Sequence, residues 1–211
     1  MLQSIFVIAL FLANPSSSIV LHGYKAVNPA WNITLDLTIV KNSTADNVLI
    51  EMQGPTDRWF GIGFGANQMS GTYAITSTGS TGVITERKLG NHEQGTTLQS
   101  SVTVLSNVNN GNGFRTVKLS RSVQGPSSNY YTFPTSATSI NLICARGDSS
   151  GATTLAFHGD SNHHNGVQIS LQFFVLFWFC FCFVLFCFVF EAAVHTYKRI
   201  TKKKKKKKVA H

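Results

Sequence analysis

The segment Trp31-Asn-Ile-Thr-Leu-Asp-Leu-Thr-Ile-Val40 alternates apolar and polar side chains without a break. A period of two puts every second side chain on one face of a pleated strand, so it predicts a half-buried β-strand. The pattern recurs in short pieces at residues 47–52, 59–64, 73–77, 83–86, 98–105, 114–119, 130–133, 139–145 and 153–157. Gly54-Pro55 reads as a turn between two of these pieces, and Asn109-Asn-Gly-Asn-Gly113 as a hairpin turn. Helical periodicity is absent throughout this region. Many short strands at such spacing predict an all-β domain, a sandwich of two packed sheets.

The ends of the chain read differently. Residues 1–18 hold an apolar core, Ile5 to Ala13, followed by small residues, which is the pattern of a secretory signal peptide, although no Lys or Arg precedes the core. An uncleaved anchor or a buried strand is the other reading. Residues 173–190 form a second apolar run of eighteen residues without a charge. About 20 residues cross the hydrocarbon core, so one transmembrane helix is expected there. Residues 191–211 form a basic tail with Lys198, Arg199 and the seven lysines 202–208. Basic residues just after a span are kept on the cytoplasmic side. The expected layout is therefore an extracellular or lumenal domain at 19–172, single-pass, in the cell membrane or another membrane of the secretory pathway.

The net charge of +9 belongs to that tail. Residues 1–172 carry nine basic and eight acidic side chains, so the folded part is nearly neutral. A nucleic-acid partner is excluded, since the lysines are clustered with no aromatic interleaving. Anionic lipid is the expected partner of the tail. The apolar run itself is unusual, with nine Phe and three Cys (180, 182, 187) among its eighteen residues. Phe-rich and Lys-rich runs are what U-rich and A-rich tracts encode, so a truncated or read-through gene end is a second reading of everything after 172.

Outside that run Cys144 stands alone, so no internal disulfide is expected, and core packing has to hold the domain. The sequons Asn32-Ile-Thr34 and Asn42-Ser-Thr44 make Asn32 and Asn42 candidate glycosylation sites. There is no Cys-x-x-Cys-His for covalent haem, no Ser/His/Asp or Cys/His nucleophile arrangement and no catalytic carboxylate pair. A non-enzymatic role is the expectation.

One methionine, Met69, follows the glycine-spaced aromatic run Trp59-Phe-Gly-Ile-Gly-Phe-Gly65, and His158 ends a strand-like run near 157. A thioether and an imidazole brought to one apolar pocket can hold a haem iron from its two axial sides. A methionine after a strand is also a common gap-filling core residue, and His158 before Gly159-Asp160 also reads as a turn residue. The cluster His158, His163, His164 and Asp160 offers a divalent-metal site instead.

The ordered set Trp59 to Gly65, Met69-x-Gly-Thr-x-Ala-Ile75, Gly113 to Arg121, Tyr131-Thr-Phe-Pro134 and Ile140 to Gly147 resembles the dopamine β-monooxygenase N-terminal (DOMON) family over roughly 28–172. The resemblance implies an immunoglobulin-like β-sandwich of the DOMON type. In haem-binding relatives a Met and a His hold b-type haem, and these map onto Met69 and His158, with His163 or His164 as substitutes. Tyr73 departs from the acidic residue or glutamine that many relatives carry there. Candidate pocket walls are Phe60, Ile62, Phe64 and Phe157, only some of which can face one side of the sheet. The resemblance implies one-electron transfer, with a transmembrane cytochrome or another redox protein as partner. As the alternative it admits a haem-free module recognising carbohydrate or a protein partner at the cell surface through loops such as 107–113.

Overall fold

The structure, a computed structural model, describes residues 19–41, 46–79, 81–149, 155, 158 and 163–173. All of these belong to the compact unit Met1–Phe174. Eleven strands follow one another: β1 (Ile19–Asn28), β2 (Ile33–Lys41), β3 (Asp46–Pro55), β4 (Phe60–Phe64), β5 (Tyr73–Ser77), β6 (Ile84–Lys88), β7 (Thr96–Thr97), β8 (Thr103–Asn109), β9 (Phe114–Ser122), β10 (Thr138–Arg146) and β11 (His163–Phe173). They pair in the order β7-β6-β5-β4-β10-β11-β1-β2-β3-β9-β8, every neighbour antiparallel. The sheet curls so that its two halves face each other, consistent with a β-sandwich. The halves join where β1 meets β11, through the register pairs Leu21↔Phe173 and His22↔Gln172.

Alternation builds the core. Ile33, Leu35, Leu37 and Ile39 of β2 point inward with Val48, Ile50 and Met52 of β3 and Val117 and Leu119 of β9. The other half contributes Phe60, Ile62 and Phe64 of β4, Tyr73 and Ile75 of β5, Leu142 and Cys144 of β10, and Ile169 and Leu171 of β11. Each large aliphatic side chain removed from water there contributes about 1.5–3 kcal/mol.

Several expectations about individual strands are corrected. Gly54-Pro55 is not a turn: β3 runs through Pro55, because Gly54 lies under the Phe60 ring, where a Cβ has no room. The stretch 98–105 is broken, with residues 98–102 forming a connection and the strand starting at Thr103. Residues 130–133 are loop, although their aromatic rings pack on the core. The sequence reading places no strand before Trp31 or after 157, yet β1 and β11 lie at the middle of the sheet. In β1 the inward position 23 is a glycine, since a Cβ there would sit 2.6 Å from the Ser170 carbonyl oxygen, so the apolar alternation is interrupted. The hairpin at 109–113 is present, closed by Asn110 N–H donating to Phe114 O at 2.8 Å, with Gly111 and Gly113 at positive φ.

Among the described residues no helix is long and apolar enough to cross a membrane. The expected signal peptide, the expected span beyond Phe173, the basic tail and Asn42 lie outside the described residues. Asn32 is exposed, in a left-handed conformation that caps a 3-10 turn at Pro29–Trp31.

Candidate functional site

Strands β4 and β5 are buried on both faces at every position. Phe60, Ile62 and Phe64 cover the inner face, so Gly61 and Gly63 fall on the outer one, alongside Ala74 and Thr76 of β5 and Ile143 and Ala145 of β10. What buries that outer face is not a third sheet but loops carrying Met69, residues 89–94, Leu155 and His158. Between floor and loops lies a cavity of about 320 Å³, within the ordinary range of small-molecule sites, about 300–1,000 Å³. The pocket walls expected from sequence are corrected accordingly: Phe60, Ile62 and Phe64 belong to the core, and Phe157 lies outside the described residues. Trp59 takes their place on the pocket side.

The glycines set the shape of the floor. A Cβ on Gly63 would stand 2.7 Å from Ile143 Cγ1 and 3.0 Å from Thr72 Cγ2, and one on Gly61 would stand 2.8 Å from Thr76 Cγ2. Flanking side chains lean over the bare backbone and keep the surface low. Gly63→Ala is expected to cost about 1–3 kcal/mol by overpacking, read as a lowered denaturation midpoint with an unchanged slope. An unaltered midpoint would show that Ile143 swings clear.

Met69 is held by a turn whose residues explain the Met-x-Gly-Thr spacing. Thr72 N–H donates to Met69 O at 2.9 Å, and Thr72 Oγ1 donates to Gln68 O at 2.6 Å. Gly71, at φ +72°, supplies the left-handed step and donates to Leu89 O at 2.9 Å, while Leu89 N–H donates to Thr72 O at 2.8 Å. The turn is thus sewn to the strand-end that begins the facing loop. In that loop Gln94 Nε2 donates to Leu155 O, and Arg87 Nε donates to Gln94 O at 3.0 Å. His92 adopts φ +56°, an uncommon conformation for a non-glycine residue, on the pocket side.

His158 is buried, and its Nε2 lies 3.4 Å from Met69 Sδ, across 89 residues of sequence. The two residues singled out as an axial pair therefore meet at the pocket. His163, exposed at the start of β11, places its ring centroid 5.0 Å from that of His158. His164 pairs with Cys144 in the sheet register. Asp160 lies outside the described residues, and among those described no three His, Cys, Asp or Glu side chains converge on a common ion position.

Two further groups border the pocket. The Trp59 indole N–H is buried without a hydrogen-bond partner among the described residues, the kind of exception that calls for a local explanation. The Cys144 side chain faces the core beside Ile62, and burial pushes its thiol from 9.0 up to about 12. The folded protein therefore holds this proton where the unfolded chain releases it. Stability from this group is complete below pH 9 and declines as pH rises towards about 12. At pH 8 the native chain should leave Cys144 unalkylated by iodoacetamide, with labelling appearing on unfolding, as read by peptide mass spectrometry. Rapid native labelling would contradict its burial.

Tyr73, the departure from the family pattern, points away from Met69. Its ring lies in the core and its hydroxyl donates to Glu86 Oε1 at 2.5 Å. Burial, opposed by Arg121 and aided by the Glu86 hydrogen bond, holds its hydroxyl well above the usual phenol range. The surrounding polar cage, Glu86 with Ser101, Val102 and Arg121, was not anticipated from sequence; a lone Glu in a strand gives no sign of being buried.

No protein-family model matches the chain, and no curated protein matches it. Among solved structures, the cytochrome b domain of pyranose dehydrogenase from Coprinopsis cinerea is similar at 14% identity and a TM-score of 0.46, over 70% of this chain and 78% of that one. A likeness that slight leaves the chemistry to be argued from the residues themselves.

Proposed function

We propose that this chain is a haem-binding, DOMON-type β-sandwich that passes single electrons, anchored in a membrane with its folded domain on the extracellular or lumenal side. The observation that carries the reading is the 3.4 Å approach of His158 Nε2 to Met69 Sδ at one end of an apolar, glycine-floored pocket. The donors suit b-type haem: one soft thioether, one imidazole and no cysteine pair for covalent attachment. Met69 and His158 would hold the iron, and the group would supply a one-electron couple whose ferrous state the Met sulfur favours. With both donors engaged no position is left for oxygen, which suits electron transfer better than oxygenation.

The chain's own residues do the rest. The Thr72 turn holds the Met69 backbone, and the lack of side chains at Gly61 and Gly63 lets Ile143, Thr72 and Thr76 lie low over the sheet as a floor on which a flat ring would rest. Ile143, Ala74 and Leu155 exclude water, which strengthens electrostatic control of the site. The basic tail would lie against anionic lipid, and glycans on Asn32 and Asn42 would fit an exported domain. A single span carries no electron across the bilayer, so a neighbouring transmembrane cytochrome or other redox protein would accept it.

The full-length chain in detergent, given haemin and then dithionite, should develop the split low-spin bands of a reduced b-type cytochrome. Met69→Ala and His158→Ala should each abolish that spectrum while His164→Ala retains it. A folded chain that stays colourless and binds glycans would reject the reading in favour of a recognition module.

A further inference from the structure

We infer that the haem-free protein binds one monovalent soft cation, Cu(I), through Met69 Sδ and His158 Nε2, with the His163 imidazole as third donor. This uses the pocket described above but does not depend on haem being its ligand.

Three observations converge. The sulfur and the imidazole nitrogen already stand 3.4 Å apart, so two donors face one point before any ligand arrives. A second imidazole lies beside the first, at 5.0 Å between ring centroids, on the fixed end of β11. No third His, Cys, Asp or Glu completes a site for a harder ion among the described residues. A thioether is a poor ligand for Mg, Ca and Mn, and a good one for Cu(I), as ligand softness dictates. The charge argument agrees. All three donors are neutral when they ligate, and the walls beside them are Ile143, Ala145 and Leu155. Holding one positive charge in such surroundings costs far less desolvation than holding two.

The site also has an entry. His163 is exposed and Met69 is only partly buried, so the cation reaches the donors from solvent without opening the sandwich. No bond breaks and no electron moves on binding. Because the same sulfur and nitrogen would hold haem, the two ligands exclude each other, and copper loading reports on the apo state.

The test uses the full-length chain, haem-free and anaerobic, with Cys180, Cys182 and Cys187 replaced by serine so that no accessible thiol competes. Cu(I) is offered as its coloured bicinchoninate complex. One equivalent should be withdrawn, and Zn(II) in excess should not displace it. Met69→Ala and His158→Ala should each weaken uptake by more than about 100-fold, since even partners outside the ligand shell are worth about 10–100-fold. His163→Ala should weaken it too, by at least about tenfold, the floor set by partners outside the ligand shell. Copper-edge X-ray absorption should show one sulfur neighbour, lost in Met69→Ala while circular dichroism stays unchanged. Failure to withdraw Cu(I), or a sulfur neighbour that survives Met69→Ala, overturns the inference. The haem reading stands or falls separately on its own spectrum. Prior Cu(I) loading should block haem uptake where both hold.

Discussion

Glu86→Ala should lower the unfolding free energy by about 3–5 kcal/mol, the scale of a broken buried charged network. Glu86 is only 2% exposed, yet it serves four donors. Tyr73 Oη reaches Oε1 at 2.5 Å, Ser101 Oγ reaches the same oxygen at 2.6 Å, and the backbone N–H groups of Ser101 and Val102 reach Oε2. Alanine leaves all four without an acceptor inside the protein, and each unmade bond to a buried group costs about 1–3 kcal/mol before relaxation. Arg121 adds to the loss. It lies over the Tyr73 and Phe133 rings, 5.0 Å from each centroid, and its guanidinium touches Ser101 Oγ and Tyr131 O. Urea titration of both proteins measures the difference, and Glu86→Gln should recover part of it because one amide oxygen still accepts. A change below about 1 kcal/mol, the worth of one ordinary hydrogen bond, would mean that water replaces the carboxylate and that the cage is open.

The second large effect is expected at Phe60→Ala, again about 3–5 kcal/mol, the usual cost of deleting a buried aromatic ring. What makes this site severe is the partner beneath it. The ring is wholly buried and seats on Gly54, whose backbone has no side chain to swell into the space left behind. The cavity therefore persists. The reverse substitution, Gly54→Ala, pushes a methyl into the ring and should also destabilise, by about 1–3 kcal/mol. The pair Gly54→Ala with Phe60→Leu should be more stable than the sum of its parts, and strict additivity in denaturant titration would disprove the contact.

Those two sites mark what was legible from sequence and what was not. The inward faces of β2, β3, β4 and β9 were written in plain alternation, because most inner positions hold a large apolar residue, with Gly54 of β3 and the buried Arg115 and Arg121 of β9 as the departures. Strand β1 escaped where Gly23 stands at an inward position, required by a carbonyl from β11. Strand β11 is a simpler omission, since Val167, Ile169 and Leu171 alternate with Gln168, Ser170 and Gln172 as clearly as any segment. The turn predicted at Gly54-Pro55 failed because glycine was there for the Phe60 ring, not for a bend. At the site, the motif singled out Met69 and His158 but assigned the pocket walls to the wrong face. The glycines between the aromatic residues decide the faces: two glycines alternating with three large side chains leave a bare side, and that side is the pocket floor.

The meeting of β1 and β11 carries a consequence for how the molecule is made. Among the described strands β11 is the last in sequence, yet it takes a central place in the pairing order, between β10 and β1, the first of them. Until residues 163–173 emerge, β10 and β1 each present an unpaired flank, beside the outer edges that β7 and β8 keep in the finished sheet. Such flanks recruit other chains. A nascent or shortened product ending before His163 is therefore a substrate for chaperones and for aggregation, whereas the completed chain seals both flanks in one event.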